Sequence, residues 1–296
     1  LMLSLLFSLC LSAFARESAV VLISDSIPEY QETAQAFVDS YKGQVQVFHL
    51  EGNKAKGMKI AQDLASDPPP AIFAIGAKAA YISTQQLSYI PCVYAMVHDP
   101  VKYGIYGDKV TGIADQPSAE VTLAQIRVFL PKVKKIGVFI TDSSAVEGPS
   151  DAAQTAEAMG YEIEFIRLNS NSELRKQMSL LHKRVDAIWL MPDPSFITPE
   201  NFHTLIMMAN RNRLPVLTNS DLLTQAGSLF SVTPDRFGVG QQAANLVYEI
   251  YADRKDYGGM TFVPEVPRVT FNEQSQRILG LELEPFATGF IDDWIE

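Results

Sequence analysis

Short apolar, β-branched runs alternate along the chain with longer stretches whose apolar positions recur at helical spacing. This pattern predicts a parallel sheet covered by helices. Val20–Ile23 reads as a strand, and Tyr30, Ala34, Phe37, Val38 and Tyr41 then mark one helical face opened by Pro28. "QVQVFHL" alternates and is followed by a helix to about Ser66. "DPPP" breaks the chain before the strand "AIFAIGA", a helix follows Lys78, and "PCVYAMV" and "VTGIAD" are further strands.

From Ser118 the order starts again. Leu123, Ile126, Arg127 and Leu130 mark a helix ended by Pro131, and "IGVFIT" is a strand. Ala152, Ala156 and Met159 share a helical face stopped by Gly160. "YEIEFIRL", "DAIWLM" and "LPVLT" are strands, separated by helices over about Ser172–Lys183 and around Leu205, Met208 and Ala209. Val239, Ala243, Leu246, Val247 and Ile250 define one more long helix before "RVTFN".

The two halves match in order. Ile23-Ser24-Asp25-Ser26 ends the first strand as Ile140-Thr141-Asp142-Ser143 ends its counterpart; "AIFAIGA" answers "AIWLMPD", and "IPCVYAMVHD" answers "LPVLTNSD". Four matched β-α units indicate two α/β lobes of one topology. In such sheets ligands gather beyond the carboxyl ends of the strands, near helix N-termini. The strand-end residues Ser24, Asp25, Ser26, Thr141, Asp142 and Ser143 are therefore candidates to line a shared cleft. Ser, Thr and Asp after a strand are also ordinary helix N-caps, and each of these residues fits either role.

Composition narrows the partners. The 296 residues suffice for two domains, and 24 basic against 34 acidic residues give a net charge of −10. That balance argues against nucleic acid or an anionic membrane as the main partner. The opening "LMLSLLFSLCLSAFA" is a short apolar core ending in an A-x-A pattern and followed by "RES", as in a secretory signal peptide over residues 1–15. Arg16 and Glu17 stop it well short of the ~20 apolar residues of a membrane anchor. Cys10 invites a lipoprotein reading, which the bulky Leu9 before it opposes. After cleavage only Cys92 remains, in an apolar strand, so no internal disulfide is expected. The mature chain is expected to be periplasmic and monomeric.

Taken together, "AIGAKAA", "MVHDPV", "KVTGIADQP", "DAIWLMPD" and "VTFNEQSQRILGLEL" resemble the ABC-transporter substrate-binding proteins of tryptophan- and tyrosine-binding type, from about Ala19 to Pro285. The resemblance implies the type I periplasmic-binding fold: two Rossmann-like lobes, a ligand cleft between them and three hinge crossings. It places the lobes at 16–115 with 234–260 and at 116–233 with 261–296, with crossings near Asp115–Ser118, Ser231–Pro234 and Gly258–Val263. It also implies closure over a small polar ligand, such as an amino acid, which is then presented to a membrane permease. A receptor subunit feeding a membrane sensor kinase or cyclase is the alternative. Carried over by position, Gly76, Ala77 and Lys78 would cradle a ligand carboxylate, Thr141, Asp142 and Ser143 would face them, and Asp193 would take the amine. The chain departs from the family in having Ala77 where a hydroxyl is usual and Lys78 where proline is common, which changes the pocket's donors and acceptors.

Further candidates come from position. His98 and Asp99 lie at a strand end facing the expected cleft, Tyr30 sits near the first loop and offers a ring for stacking, and Asn219 closes the last strand-end loop. A Lys at a helix start such as Lys78 is more often solvated surface, and a capping or surface role is the more ordinary one for His98. There is no G-x-S-x-G, Walker, H-E-x-x-H or Cys/His metal spacing. No enzyme activity, metal or cofactor is expected.

Overall fold

The computed structural model describes residues 18–141, 147–168, 173–193 and 195–296, the side chains of 147–150 excepted. The expected leader at 1–15 and the candidates Asp142 and Ser143 lie outside the described residues.

The chain forms two compact units. One takes the chain up to Gln116 together with Pro234–Val266, the other Pro117–Thr233 together with Pro267–Glu296. The chain thus passes from unit to unit three times, each time onto a proline. The third passage falls after Val266, later than the 258–263 expected from the sequence. Thr261 and Phe262 pair with Gly112 and Ile113, which ties residues 261–266 to the first unit.

In the first unit the strands β1 (Ser18–Ile23), β2 (Gln44–His49), β3 (Ile72–Ile75), β4 (Cys92–Ala95), β5 (Val110–Ile113) and β11 (Thr261–Phe262) form one sheet. Its order is β2-β1-β3-β4-β5-β11, and neighbours pair in parallel. Alternation explains why β1 is apolar from Ala19 onward. Ala19, Val21 and Ile23 pack on one face with Phe37, Phe73 and Val239. Val20 and Leu22 pack on the other with Leu64, Ile82 and Cys92. Cys92 is a free, buried strand residue, and burial pushes its thiol up to about 12.

Four helices cover this sheet: α1 (Pro28–Ser40), α2 (Lys54–Ser66), α3 (Ala77–Gln86) and, after the chain's return, α9 (Arg236–Tyr251). The approach of α9 to α1 needs a residue without a side chain. A Cβ at Gly240 would stand 2.3 Å from the Thr33 carbonyl oxygen and 2.6 Å from the Ala36 Cβ. That contact sets where the first turn of α9 lies.

The second unit repeats the order. Its strands are β6 (Lys135–Ile140), β7 (Glu162–Arg167), β8 (Ala187–Leu190), β9 (Val216–Thr218), β10 (Phe230–Pro234), β12 (Pro267–Asn272) and β13 (Asp293–Ile295). They run β7-β6-β8-β9-β10-β12-β13. Helices α4 (Ala119–Phe129), α5 (Glu147–Ala158), α6 (Glu173–Leu181), α7 (Pro199–Arg211), α8 (Asp221–Gln225) and α10 (Glu273–Leu279) connect them. The first five strands of each unit thus share the order second, first, third, fourth, fifth, and the matched sequence segments occupy matched places. The sequence reading lacked β10, whose short run Phe230–Pro234 it took for part of a crossing.

Candidate functional site

An order of this kind reverses direction between its first and third strands. In open α/β sheets ligands bind beyond the strand carboxyl ends at such a point. In the first unit that point lies between β1 and β3, and the residues just past them are Ser24–Ser26 and Gly76–Lys78.

Gly76 starts α3 with φ +82° and offers no side chain as a cap. Ser24 supplies the cap from the neighbouring strand end: its Oγ accepts from Ala79 N at 2.8 Å, and its own N–H donates to the Ile75 carbonyl at 3.0 Å. Tyr30 lies over the same glycine. A Cβ at Gly76 would stand 2.6 Å from the Tyr30 hydroxyl oxygen and 2.8 Å from Ser24 Oγ. Glycine is needed here for both its positive φ and its lack of bulk. Asp25 and Ser26 are exposed, and Asp25 Oδ1 accepts from Ser26 N at 2.8 Å. Ala77 is half-buried and Lys78 exposed. The ends of Asp25 and Lys78 converge above Gly52, where an added Cβ would meet Asp25 Oδ2 at 2.9 Å and Lys78 Nζ at 3.4 Å.

Farther along the same rim, His98 and Asp99 follow β4, both exposed, with Asp99 left-handed at φ 51°. His98 Nδ1 stands 3.9 Å from Asp115 Oδ2. A cavity of about 200 Å³ opens beside them, lined by Tyr94, Val97, His98, Ala114, Asp115 and Thr261 among others. Burial holds the Asp115 carboxyl above its ordinary value, opposed by the charges of Arg236 and His98 and by Gln116. Tyr30 is shifted upward too, first by burial and then by the negative charges of Asp115 and Asp25.

Two atoms here lack a hydrogen-bond partner among the described residues. Arg236 Nη1 and Gln116 Oε1 are buried without a hydrogen bond. Arg236 opens α9 behind the N-cap Asp235, whose Oδ1 accepts from Gly238 N at 2.6 Å, and the Arg236 carbonyl accepts from the Thr33 hydroxyl at 3.1 Å. Its backbone is therefore anchored while one nitrogen of its guanidinium has no hydrogen-bond partner among the described residues. Asp115, Gln116 and Arg236 were absent from the sequence candidates.

In the second unit the corresponding point lies between β6 and β8. Thr141 donates to Asp193 Oδ2 at 2.7 Å, and Asp193 Oδ1 accepts from Ser195 N at 3.0 Å. The Ser195 and Thr141 hydroxyls are 3.1 Å apart. Ser195 was also missed by sequence reasoning. Asn219, past β9, is buried and bridges three strands: its Oδ1 accepts from Trp189 Nε1 at 3.1 Å and its Nδ2 donates to the Val232 carbonyl at 2.9 Å. Its amide serves the sheet. The candidates therefore separate into a first-unit group (Ser24, Asp25, Ser26, Tyr30, Gly76, Ala77, Lys78, His98, Asp99) and a second-unit group (Thr141, Asp193, Asn219).

Among the described residues, no three His, Cys, Asp or Glu side chains are placed to hold a metal ion. No described helix is long and apolar enough to cross a membrane.

Residues 37–257 match the family described as ABC transporter substrate binding protein. The chain belongs to that family. Membership makes it a binding protein and not an enzyme. It is 26% identical over 226 residues to a tyrosine-binding protein of Clostridioides difficile (strain R20291), covering 72% of this chain and 62% of that relative. The chain thus spans less than two thirds of the length of that curated relative. Among solved structures it resembles the ligand-free, open form of a substrate-binding protein with adhesive properties from Clostridium difficile. The TM-score is 0.73 at 19% identity, over 95% of this chain and 99% of that one. It also resembles an ABC domain in complex with L-Trp from Streptococcus pneumonia, with a TM-score of 0.56 at 19% identity over 94% and 100% of the two chains. These likenesses establish the type I periplasmic-binding fold.

Proposed function

We propose that the chain is the extracytoplasmic solute-binding component of an ABC importer, and that its solute is a small polar compound of amino-acid type. The observation that carries this reading is the repeated strand-end rim. Each unit sets hydroxyl and carboxylate groups at the switch point of its sheet: Ser24 and Asp25 in the first, beside the helix start at Gly76 and the Lys78 cation, and Thr141, Asp193 and Ser195 in the second. The relative described as tyrosine-binding and the neighbour holding L-Trp support the amino-acid class.

In this proposal the exported chain hands its solute to a membrane permease. Solute contacts made by both units would bias the arrangement of the units, since only a difference in contact between two states shifts their balance. A thermal-shift screen across amino acids, nucleosides and small acids tests the reading. A true solute at one hundred times its Kd adds about 2.7 kcal/mol of stability and raises the melting temperature. A flat response across the whole panel would contradict the proposal.

A further inference from the structure

Arg236 Nη1 is a buried, charged nitrogen of the first unit with no hydrogen-bond partner among the described residues. A buried guanidinium nitrogen without an acceptor is costly, and such an atom in a folded protein calls for a missing partner. The buried Gln116 Oε1 is its counterpart, an acceptor without a donor. Between them in charge stands Asp115, whose carboxylate feels both Arg236 and His98. Among the described residues Asp115 and Arg236 are not within ion-pair distance of one another, although the Arg236 charge is felt at Asp115.

We propose that Arg236 and Asp115 form a two-ended clamp for a free α-amino acid, the Arg236 guanidinium receiving the carboxylate and Asp115 with Gln116 Oε1 receiving the ammonium. The chemistry fits group by group. A carboxylate matches the planar guanidinium fork, and an ammonium brings three donors for the Asp115 carboxylate and the Gln116 oxygen. Tyr30, over Gly76 and within the fields of Asp115 and Arg236, supplies a ring beside the clamp.

This assignment differs from the one implied by family resemblance. Lys78 is exposed, whereas Arg236 presents a buried, unmet donor. Asp193 already accepts from Thr141 on one oxygen and from Ser195 on the other, whereas among the described residues Asp115 is met by the Gln116 side chain and, at 3.9 Å, by His98. The clamp rests on the solute-binding reading given above.

The test is calorimetric titration of the full chain with the twenty L-amino acids. L-tyrosine and L-tryptophan are also compared with their amides and with tyramine and tryptamine, which lack the carboxylate. The wild type is expected to prefer a free amino acid over its amide by at least about 30-fold, the scale of losing one partner of a buried charge pair. Arg236→Gln should erase that preference, and Arg236→Lys should keep part of it. Asp115→Asn should erase the preference for L-tyrosine over 3-(4-hydroxyphenyl)propionate, which lacks the amine. Melting curves of the ligand-free variants separate lost binding from lost folding.

A wild type that binds acid and amide equally overturns the clamp, whatever the variants do. So does an Arg236→Gln protein that still discriminates. A thermal shift with a nucleoside or small acid but with no amino acid removes the clamp and leaves the solute-binding reading standing. Failure of every solute removes both.

Discussion

The hydroxyl of Ser24, at the end of β1, accepts a 2.8 Å hydrogen bond from the backbone N–H of Ala79 in the first turn of α3. One side chain thus ties together the two segments that flank the first unit's switch point. It also takes the place of the cap that Gly76 cannot provide. Ser24→Ala is expected to lower unfolding free energy by about 0.5–2 kcal/mol, the usual cost of losing a helix cap, as read by urea denaturation. An unchanged midpoint would show that water replaces the bond.

Gly240 sets how closely α9 lies on α1, and through that the position of Arg236. Gly240→Ala places a methyl against the Thr33 carbonyl, which backbone must move to relieve. A loss of about 1–3 kcal/mol is expected, the range for overpacking. Solute affinity should fall with it, because Arg236 shifts. Full stability in Gly240→Ala would mean that the two helices separate freely.

Asp115 makes the ligand-free protein's stability depend on pH. Its carboxyl is held above the ordinary 3.8 by burial, so the folded chain keeps this proton at pH values where the unfolded chain has lost it. Above both values the buried charge subtracts from stability; below 3.8 both states are protonated and the penalty vanishes. Asp115→Asn should therefore raise the ligand-free melting temperature at neutral pH, with the difference shrinking as the medium is acidified toward the ordinary carboxyl range. A pH-independent difference would contradict this account.

Asp193 is predicted to matter more for the fold of the second rim than for solute charge. Asp193→Ala leaves the Thr141 hydroxyl and the Ser195 N–H without this acceptor and should cost about 1–3 kcal/mol of stability. Its effect on amino-acid binding should be smaller than that of Asp115→Asn. The reverse order, measured on the same calorimetric titrations, would make Asp193 the ammonium partner.

Much of the architecture was legible because both faces of each sheet are buried. A strand that packs on two sides must be apolar throughout, so β1, β3, β4 and β8 stood out as unbroken runs between helical periods. The duplication of those runs exposed the repeat. What escaped were the short edge and return strands β10, β11 and β13, which pair for only two to five residues and leave little periodicity to read.

The strand-end rule located Ser24, Gly76 and Thr141 because those residues follow strands directly. Asp115 ends the segment "VTGIAD" and was within reach of the same rule. Arg236 was not. It belongs to a helix far along the chain that returns to the first unit, where α9 lies on α1 at Gly240 and Thr33 bonds the Arg236 carbonyl, a long-range placement that no local pattern encodes. Asn219 shows how one strand-end amide can serve the sheet as well: it accepts from Trp189 and donates to the Val232 carbonyl.

The most direct test of a solute site at the first unit's strand ends is a crystal structure with the compound that gives the largest thermal shift. The account predicts that compound beyond the carboxyl ends of β1 and β3, touching Tyr30 and the Arg236 guanidinium. Density for it at the opposite, amino-terminal edge of the sheet, or with Arg236 and Asp115 left untouched, would contradict it.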